Sequence, residues 1–524
     1  MSMAFDLIIR GGEVFDGTGS EPVMADVAVD GDRIVAVGQL ADAEAGREID
    51  ASGMAVAPGF IDVHNHSDGW LLKEKNFQCK TLQGFSTEVL MADGISYAPV
   101  DRENWREWIH YLRPLNGLSM QDYDGWETLA DYMQRLDRQT AQNVATHVPY
   151  ANVRALVNGF GSRTIDDSQQ VRINKLIERE MDAGAVGLST GLDYISQNFS
   201  TTDQLVDACR PVAERGGFYV THVRYKRTLL PALEEAFEIG RRAQIPVHIS
   251  HLKIHDPPSH EEVFEVIDRA EADGVEVTFD VYPYQSGSTM LNYILPYEIW
   301  EDGPLAASTK IADPVVGRRV IDAVDAYRRD LDQLRLAWVH GHDRRDQFGK
   351  TLKQIVEDSG KSIADALLDL LIGENLAVLC VVNEGDDALV EPMLQHRRCM
   401  IGTDGIYQPG GHVHPRVYGS SGRFLGELVR DKKLMSLAEA IYKMSGLPAW
   451  RFGLSGRGEI KEDNFADLVV FDPAEIQGPA SYEDPCQYTL GVMHLLVNGQ
   501  PVVQDGNALE IEGAAAGRFL KYRQ

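Results

Sequence analysis

The chain has 524 residues, of which 44% are hydrophobic and 25% charged, so it is long enough to bury a large core and to form more than one domain. Its formal net charge of -29 at pH 7 argues against nucleic acid and anionic membranes as partners, because both would repel it, although a local basic pocket can still bind a small anionic substrate. The five cysteines have no paired spacing and no stretch reaches transmembrane length without charges, which together predict a protein of the reducing cytoplasm.

The first 57 residues predict short strands joined by turns. Asp-Gly at 30–31, between alternating apolar residues, is a hairpin signal, and the chain start lacks the basic and apolar segments of a signal peptide. Residues 466–472 and 493–503 show the same strand and turn pattern near the other end. We therefore predict one small, discontinuous β-sandwich domain built from both chain ends, residues 1–57 plus 455–524.

The middle of the chain, residues 58–454, alternates apolar runs with amphipathic helical patterns, which predicts βα units and parallel strands. The eight candidate strands are 56–64, 86–92, 143–150, 185–192, 217–224, 245–252, 275–283 and 398–404. Helices are predicted between several of them, at 169–183, 202–216, 229–243 and 260–273. Eight such units predict an α/β fold, a (β/α)8 TIM-like barrel with insertions at about 100–140 and, between the seventh and eighth strands, at about 285–397.

The most informative motif lies at the end of the first of these strands. In the run from Pro58 to Asp68, an apolar stretch is followed by two histidines spaced i and i+2. Alternate side chains on a strand share a face, so Asp62, His64 and His66 are expected to project together, which suits two imidazoles for binding one divalent metal ion. By itself the motif is also compatible with two polar loop histidines after a core strand.

Polar residues recur near the ends of later strands, where barrel enzymes place their chemistry. A single histidine on a strand is usually a packed core residue, but a set at successive strand ends predicts a metal site. The predicted ligands are His64, His66, Asp93, His222, His251 and Asp404.

Two basic residues accompany these histidines. Arg224 shares a strand face with His222, and Lys253 shares one with His251. Cations next to metal ligands are suited to a substrate carboxylate, and the alternative is that they pair with Asp280 or another acid of the barrel.

Several longer motifs span nearly the whole chain. They are Asp16-Gly-Thr-Gly, Pro58-Gly-Phe-Ile-Asp-Val-His-Asn-His-Ser-Asp, Gly187-Leu-Ser-Thr-Gly-Leu-Asp-Tyr, Thr221-His-Val-Arg, Ile249-Ser-His-Leu-Lys, Tyr282-Pro-Tyr, Gly402-Thr-Asp-Gly, His414-Pro-Arg and Ala466-Asp-Leu-Val-Val-Phe-Asp. With them the chain resembles the amidohydrolase superfamily and, within it, the N-acyl-D-amino-acid deacylase (D-aminoacylase) group.

The resemblance implies a role for each matching residue. His64 and His66 would bind one ion together with Asp404, His222 and His251 would bind a second, and Asp404 would be the catalytic acid and base. It implies one or two Zn²⁺ ions per subunit, with another divalent metal as the alternative. The residues expected to hold a carboxylate-bearing small-molecule substrate are Tyr194, Lys253, Tyr284, Ser288 and Arg416, together with Arg224 and Tyr150.

Two positions depart from the group's pattern. Asp93 stands where the group has a cysteine ligand, and a carboxylate is a harder ligand than a thiolate. Tyr150 stands where we expect a histidine, and a phenol can donate a hydrogen bond but cannot do imidazole acid–base work at neutral pH. Both changes suggest a divergent branch.

The expected reaction is hydrolysis of the amide bond of an N-acyl amino acid, of the D series by resemblance, by metal-activated water. The fourth strand has no lysine to carboxylate, unlike hydantoinase-like relatives, and His222 is not followed by the His-x-x-Glu of the nucleobase deaminases. One alternative is a hydrolase of a cyclic amide, lactone or carbamate on the same site. A non-catalytic barrel is opposed by a ligand-capable residue at every expected metal position. The sequence leaves open whether the protein forms a homo-oligomer.

Overall fold

A computed structural model describes residues 5–255, 257–326, 331–341 and 343–523. Its strands are β1 (Phe5–Val14), β2 (Val23–Asp30), β3 (Arg33–Gly38), β4 (Ala45–Asp50), β5 (Ala55–Pro58), β6 (Phe60–Asp62), β7 (Phe85–Leu90), β8 (Asn143–Thr146), β9 (Val148–Pro149), β10 (Gly187–Gly191), β11 (Phe218–His222), β12 (Val247–Ile249), β13 (Val277–Val281), β14 (Gly287–Met290), β15 (Arg335–Val339), β16 (Val378–Val382), β17 (Cys399–Ile401), β18 (Leu468–Phe471), β19 (Val492–Val497), β20 (Gln500–Gln504) and β21 (Asn507–Ala508).

The helices cover the spaces between these strands. They are α1 (Gln78–Thr81), α2 (Trp105–Asn116), α3 (Leu129–Leu136), α4 (Tyr150–Asn158), α5 (Asp167–Asp182), α6 (Thr202–Glu214), α7 (Leu229–Ala243), α8 (His260–Ala272), α9 (Pro304–Lys310), α10 (Pro314–Ala326), α11 (Leu352–Ser359), α12 (Ile363–Gly373), α13 (Glu391–Gln395), α14 (Arg416–Gly422), α15 (Leu437–Met444) and α16 (Gly446–Arg451). A π-helical stretch, Arg423–Asp431, continues α14. Among the described residues, no helix combines the length and the apolar character that crossing a membrane requires.

The middle of the chain forms two parallel sheets. One has six strands in the order β17-β13-β12-β11-β10-β9, and the other has three in the order β6-β7-β8. Only His147 separates β8 from β9, so the third predicted strand belongs to both sheets. At the other junction, Asn65 and Gly405 form one isolated parallel bridge beyond β6 and β17. The predicted α/β fold with eight parallel strand positions is confirmed, in the form of two sheets and not one continuous ring of strand pairing.

The four helices predicted between strands are α5, α6, α7 and α8, and each lies within two residues of the predicted bounds. Three of them begin at a capping box, with Asp166, Thr201 and Ser259 as N-caps, which satisfies backbone N–H groups that the first turn leaves unpaired. Their apolar faces pack onto the parallel strands, as Ile177 of α5 and Phe237 of α7 illustrate. This packing leaves the strand ends as the edge where polar side chains gather.

Strands from both chain ends hydrogen-bond into one nine-stranded mixed sheet. Its order is β21-β20-β19-β18-β5-β1-β2-β3, with β4 pairing alongside β1. The predicted Asp-Gly turn joins β2 to β3, and a matching Asn498-Gly499 turn joins β19 to β20. Both turn glycines adopt positive φ, as tight hairpin turns require, and a Cβ atom at Gly499 would lie 2.1 Å from the Gly31 carbonyl oxygen.

The long insertion between β13 and β17 has its own antiparallel sheet, in the order β14-β16-β15, with α9 to α13 around it. Gly287 at the start of β14 lies opposite Val382 at the end of β16. The insertion packs against α2 of the shorter insertion through α9, β14 and β16. Both insertions therefore lie together, and both contribute residues to the cavity described below.

Candidate metal centre

All six predicted metal ligands lie at the carboxyl ends of parallel strands. His64 and His66 follow β6, Asp93 follows β7, His222 is the last residue of β11, and the last two follow β12 and β17; these are His251 and Asp404. Because the strands are parallel, their ends meet at one edge of the fold. Each of the six is at most 8% exposed, so the cluster is buried.

The ligand atoms form two overlapping groups. In the first, Nε2 of His66 is 3.2 Å and Nε2 of His64 is 3.7 Å from Oδ1 of Asp404. In the second, Oδ1 of Asp93 is 3.7 Å from Nε2 of His64 and 3.6 Å from Nε2 of His251. Each group places its ligand atoms within 4.8 Å of one another. Both groups use Nε2 of His64, which can bind one ion at a time, so they describe overlapping positions for a cation.

His222 joins the second group through its neighbour. Its Nδ1 is 2.9 Å from Nε2 of His251, while its Nε2 is 3.4 Å from Oδ2 of Asp193. The structure thus brings all six predicted ligands together, and it adds Asp193 behind one of them.

These atoms fit a zinc ion on two grounds. Nε2 of His64 and Oδ1 of Asp93 are buried without a hydrogen-bond partner, although buried polar atoms normally have one. Two nitrogen or oxygen ligands of a tetrahedral zinc, each about 2.1 Å from the ion, lie about 3.4 Å apart. The 3.2 to 3.8 Å separations in this cluster match that spacing.

Three of the six residues have left-handed backbone conformations. The φ angles are 56° at Asp93, 34° at His251 and 46° at Asp404. Non-glycine residues rarely adopt positive φ, and such conformations cost free energy, so they tend to persist at functional sites. The backbone is strained at the residues that aim these three side chains at the cluster.

Asp280 of β13 contacts three of the histidines in this region. Its Oδ2 lies 3.5 Å from Nδ1 of His64 and 2.9 Å from Nε2 of His248, and its Oδ1 accepts a hydrogen bond from the His251 backbone N–H at 3.0 Å. Burial works against a proton on His64, but the carboxylates of Asp280 and Asp93 raise the pKa of this imidazole from 6.5 to about 10. The field that favours a proton on His64 also favours a metal cation between the ligands.

Asp404 is held as an ionised carboxylate. Burial opposes its ionisation, but the Arg416 guanidinium keeps the pKa of this carboxyl well below its ordinary value. Nη1 of Arg416 forms an ion pair with Oδ2 of Asp404 at 2.9 Å, and its Nη2 donates a hydrogen bond to the Ser288 carbonyl oxygen. Its guanidinium also stacks 4.3 Å above the ring of Tyr282. The other carboxylate oxygen, Oδ1, therefore faces the histidines.

A cavity opens beside these ligands. Among the predicted substrate-binding residues, Tyr194, Lys253 and Ser288 line it. The ring of Tyr194 lies 4.9 Å from that of His222. The ammonium of Lys253 lies 2.5 Å from a carboxylate oxygen of Glu384, which also lines the cavity.

Three other predicted substrate-binding residues contact partners outside the cavity lining. Tyr150 is buried in the helix-lined core, where its hydroxyl accepts a hydrogen bond from Ser200. Arg224 pairs with Glu235 and donates to three backbone carbonyl oxygens. The ring of Tyr284 packs under Arg423. Arg416 contacts Asp404, as described above.

Two acidic residues near the ligands were not predicted from the sequence, although one of them, Asp193, lies in the motif that begins at Gly187. Asp193 contacts His222 and accepts hydrogen bonds from the Tyr293 and Tyr297 hydroxyls at 3.0 and 3.3 Å. It stands next to Tyr194 after the fourth strand, so its strand-end position was a usable signal. Glu384 lies in the long insertion, 131 residues from its partner Lys253, and no local pattern connects the two.

Comparison with known proteins agrees with this geometry. The Amidohydrolase family matches residues 47–503. The chain is 36% identical to a D-aminoacylase of Alcaligenes xylosoxydans xylosoxydans, covering 99% of this chain and 98% of the relative, and 31% identical to an N-acyl-D-glutamate deacylase of the same organism, covering 99% of each. Among solved structures, N-acyl-D-glutamate deacylase from Bordetella bronchiseptica superposes with a TM-score of 0.83 at 29% identity, covering 99% of this chain and 100% of that one. That structure contains zinc and a phosphonate inhibitor that mimics the tetrahedral intermediate.

Proposed function

The chain belongs to the amidohydrolase family, and from that premise we propose that it hydrolyses the amide bond of N-acyl-D-amino acids with zinc as its cofactor. It is an enzyme of the class that acts on carbon–nitrogen bonds other than peptide bonds. The observation that carries the proposal is the buried cluster of predicted ligands, in which the nitrogen and carboxylate oxygen atoms of five of the six residues face each other at 3.2 to 3.8 Å.

The ion would be held by the two overlapping groups, His64 with His66 and Asp404, and His64 with Asp93 and His251. A zinc ion bound there lowers the pKa of water to about 7 and polarises the substrate carbonyl group. The remaining chemistry belongs to side chains of the chain itself.

Asp404 is the proposed acid and base. Arg416 keeps it ionised and holds Oδ2, so the carboxylate can take the proton of the attacking water and pass it to the nitrogen of the leaving amine. Tyr194 is the proposed donor to the developing oxyanion, since it lines the cavity next to His222 while Tyr150 lies in the core. Lys253 is the proposed partner of the substrate carboxylate, because its ammonium lines the same cavity.

The test is a screen of matched N-acetyl-D- and N-acetyl-L-amino acids with the zinc-loaded protein, with bound metal quantified in the same sample. We expect free amine from D- but not from L-substrates, and loss of activity on chelation that zinc restores. Inactivity on both series together with hydrolysis of cyclic amides, lactones or carbamates would overturn the proposal.

We further propose that the two parallel sheets are arcs of one (β/α)8 barrel, and that residues 1–57 with 455–524 form a separate β-sandwich domain. The Asn65–Gly405 bridge and the hydrogen bond from the Thr403 backbone N–H to Oδ1 of Asp62, at 2.8 Å, support the closure. An experimental structure in which β6 and β17 diverge would contradict it.

We also propose that the enzyme works in the reducing cytoplasm, because all five of its cysteines are free thiols. Fractionation of the producing cell that recovers the protein outside the cytoplasm would contradict this location.

A further inference from the structure

One wall of the cavity carries a buried ion pair that joins the barrel to the long insertion. Lys253 follows β12 and Glu384 follows β16, and their side chains are only 11% and 9% exposed. We propose that Glu384, by pairing with Lys253, restricts the enzyme to N-acyl-D-amino acids whose side chain carries no negative charge. This inference rests on the proposed deacylase function and adds the side-chain class of the substrate.

The pair is held in place from several sides. Nζ of Lys253 is 2.5 Å from Oε2 of Glu384 and donates a second hydrogen bond to the Gln285 carbonyl oxygen at 2.7 Å. The side-chain amide of Gln285 in turn donates to the Glu384 carbonyl oxygen at 3.2 Å. The ammonium also lies 4.8 Å above the ring of Tyr282. Both charges are therefore fixed at the wall.

Gly287 provides the room that this pair needs. A Cβ atom at position 287 would lie 3.0 Å from Oε2 of Glu384 and 3.1 Å from Nζ of Lys253. These distances are shorter than ordinary van der Waals contact, so a side chain there would push against both charged groups. The pairing of Gly287 with Val382 brings Glu384 to this spot from the far end of the insertion.

The number of N–H donors on Lys253 limits how many carboxylates can bind at this wall. An ammonium has three N–H donors, and Lys253 uses one on Glu384 and one on Gln285. Among the contacts of the described residues this leaves one donor, which is enough for the single carboxylate that every N-acyl amino acid carries. The guanidinium of Arg416 is already paired with Asp404, so the two cations on this side both have an anionic partner.

An acidic substrate side chain would bring a second carboxylate to a wall that already contains the negative charge of Glu384. Like charges placed side by side in a binding site act against the wrong ligand. Much of the remaining cavity wall is apolar, with Leu115, Val382 and Ile406 among its residues. The cavity therefore suits an apolar substrate side chain and disfavours an acidic one.

The test compares N-acetyl-D-leucine with N-acetyl-D-glutamate on the zinc-loaded full chain, by release of free amine. The wild type is expected to favour the leucine substrate in kcat/KM by about 100-fold or more. Glu384→Gln keeps the shape of the residue and removes its charge, so Lys253 can pair with the acidic side chain. We expect the ratio of kcat/KM for the glutamate substrate to kcat/KM for the leucine substrate to rise about tenfold or more.

Glu265→Gln is the matched control. It makes the same charge change on the exposed face of α8 and is expected to leave the ratio of the two substrates unaltered. Gly287→Ala is an independent variant that crowds the ion pair, and it is expected to shift the ratio towards the glutamate substrate.

Three results would overturn the inference. The first is a wild type that hydrolyses both substrates equally well, and the second is a Glu384→Gln variant that loses activity on both in proportion. These two results would contradict only the role of Glu384 and would leave the proposed deacylase function intact. The third is a zinc-loaded wild type that hydrolyses neither D-substrate, which overturns the proposed function together with this inference.

Discussion

Two clusters of charged and polar residues lie along the same three parallel strands, β6, β7 and β17, and they are built differently. Four of the six predicted ligands of the metal centre lie beyond the ends of these strands, and the other two, His222 and His251, come from β11 and β12. The second cluster, here called the lysine cluster, consists of Asp62, Lys80, Glu88 and Thr403 from the same strands and α1. Both are buried, with the four residues of the lysine cluster at most 1% exposed.

The charged and polar groups of the lysine cluster are paired with one another and with neighbouring residues of the protein. Nζ of Lys80 contacts Asp62 at 2.5 Å and the Thr403 hydroxyl, and it lies 3.9 Å from Glu88. Glu88 in turn accepts hydrogen bonds from the hydroxyl of Ser67 at 2.6 Å and the side-chain amide of Gln142 at 3.2 Å. Each of these polar groups therefore has a partner within the chain.

The metal centre, in contrast, has ligand atoms that face each other without a hydrogen bond. Nε2 of His64 and Oδ1 of Asp93 are both buried and unsatisfied at a separation of 3.7 Å. Leaving such atoms unpaired costs free energy that a bound cation offsets. The difference teaches that burial of charge alone does not mark a site. What marks it is a set of buried ligand atoms that face each other at metal-ligand spacing while some of them have no hydrogen-bond partner.

Asp404→Asn should have the largest effect, because it acts on the metal centre. The amide keeps the shape of the side chain but cannot accept the proton of the attacking water. We expect kcat to fall by about 10²- to 10⁴-fold. The measurement is kcat with N-acetyl-D-leucine and bound zinc in the same sample. Near-normal turnover with zinc still bound would show that Asp404 is not the acid and base.

Lys80→Met should break the lysine cluster, with an effect on stability. The variant leaves Asp62 in the interior without its cation, and breaking a buried pair in this way costs about 3–5 kcal/mol. The measurement is the free energy of unfolding in urea, followed for the metal-free chain so that zinc binding does not contribute.

Lys310→Met is the matched control for this variant. Lys310 pairs with Asp302 at the surface, where an ion pair contributes about 0–1 kcal/mol. If Lys80→Met and Lys310→Met cost the same, the lysine cluster does not stabilise the fold in the way described.

The two clusters were not equally predictable from the sequence. The ligands of the metal centre follow apolar strand runs, and the alternation of side chains along a strand is enough to place them at one edge of the sheet. The contact between Lys80 and Thr403 joins residues 323 positions apart, and a lysine on the short α1 carries no local signal of burial. Glu384 was unpredictable for a related reason, since its place in the cavity depends on how the insertion folds back.

Among the predicted substrate-binding residues too, some positions follow from the strand pattern and others depend on tertiary packing. Tyr194 and Lys253 line the cavity because the ends of β10 and β12 lead into it, and Ser288 lines it from β14 of the long insertion. Arg224 shares a strand face with His222, but it turns to Glu235 of α7 and to backbone carbonyl groups. Periodicity gives the face of a strand, whereas the partner of a long side chain depends on the tertiary packing around it.

Glu88→Gln should have the smallest effect, visible as a change in pH dependence. Burial raises the pKa of the Glu88 carboxyl from 4.5 to about 7, with Lys80 acting in the opposite direction. Between these two values the folded state holds a proton that the unfolded chain has released, so stability falls as pH rises through this window. Above pH 7 the full cost is present, of the order of 3 kcal/mol.

The slope with pH, and not the level of stability, is the informative quantity for this variant. Glutamine cannot titrate, so the difference in unfolding free energy between variant and wild type should shift in favour of the variant from pH 5 to pH 8. Parallel curves over this range would mean that Glu88 is ionised throughout. A difference in unfolding free energy that changes with pH would mean that Glu88 keeps its proton near neutral pH. The charge of Lys80 would then be balanced by Asp62 alone, and the lysine cluster would be neutral. The carboxylates that attract a cation would then be those of the metal centre, beyond the ends of the same strands.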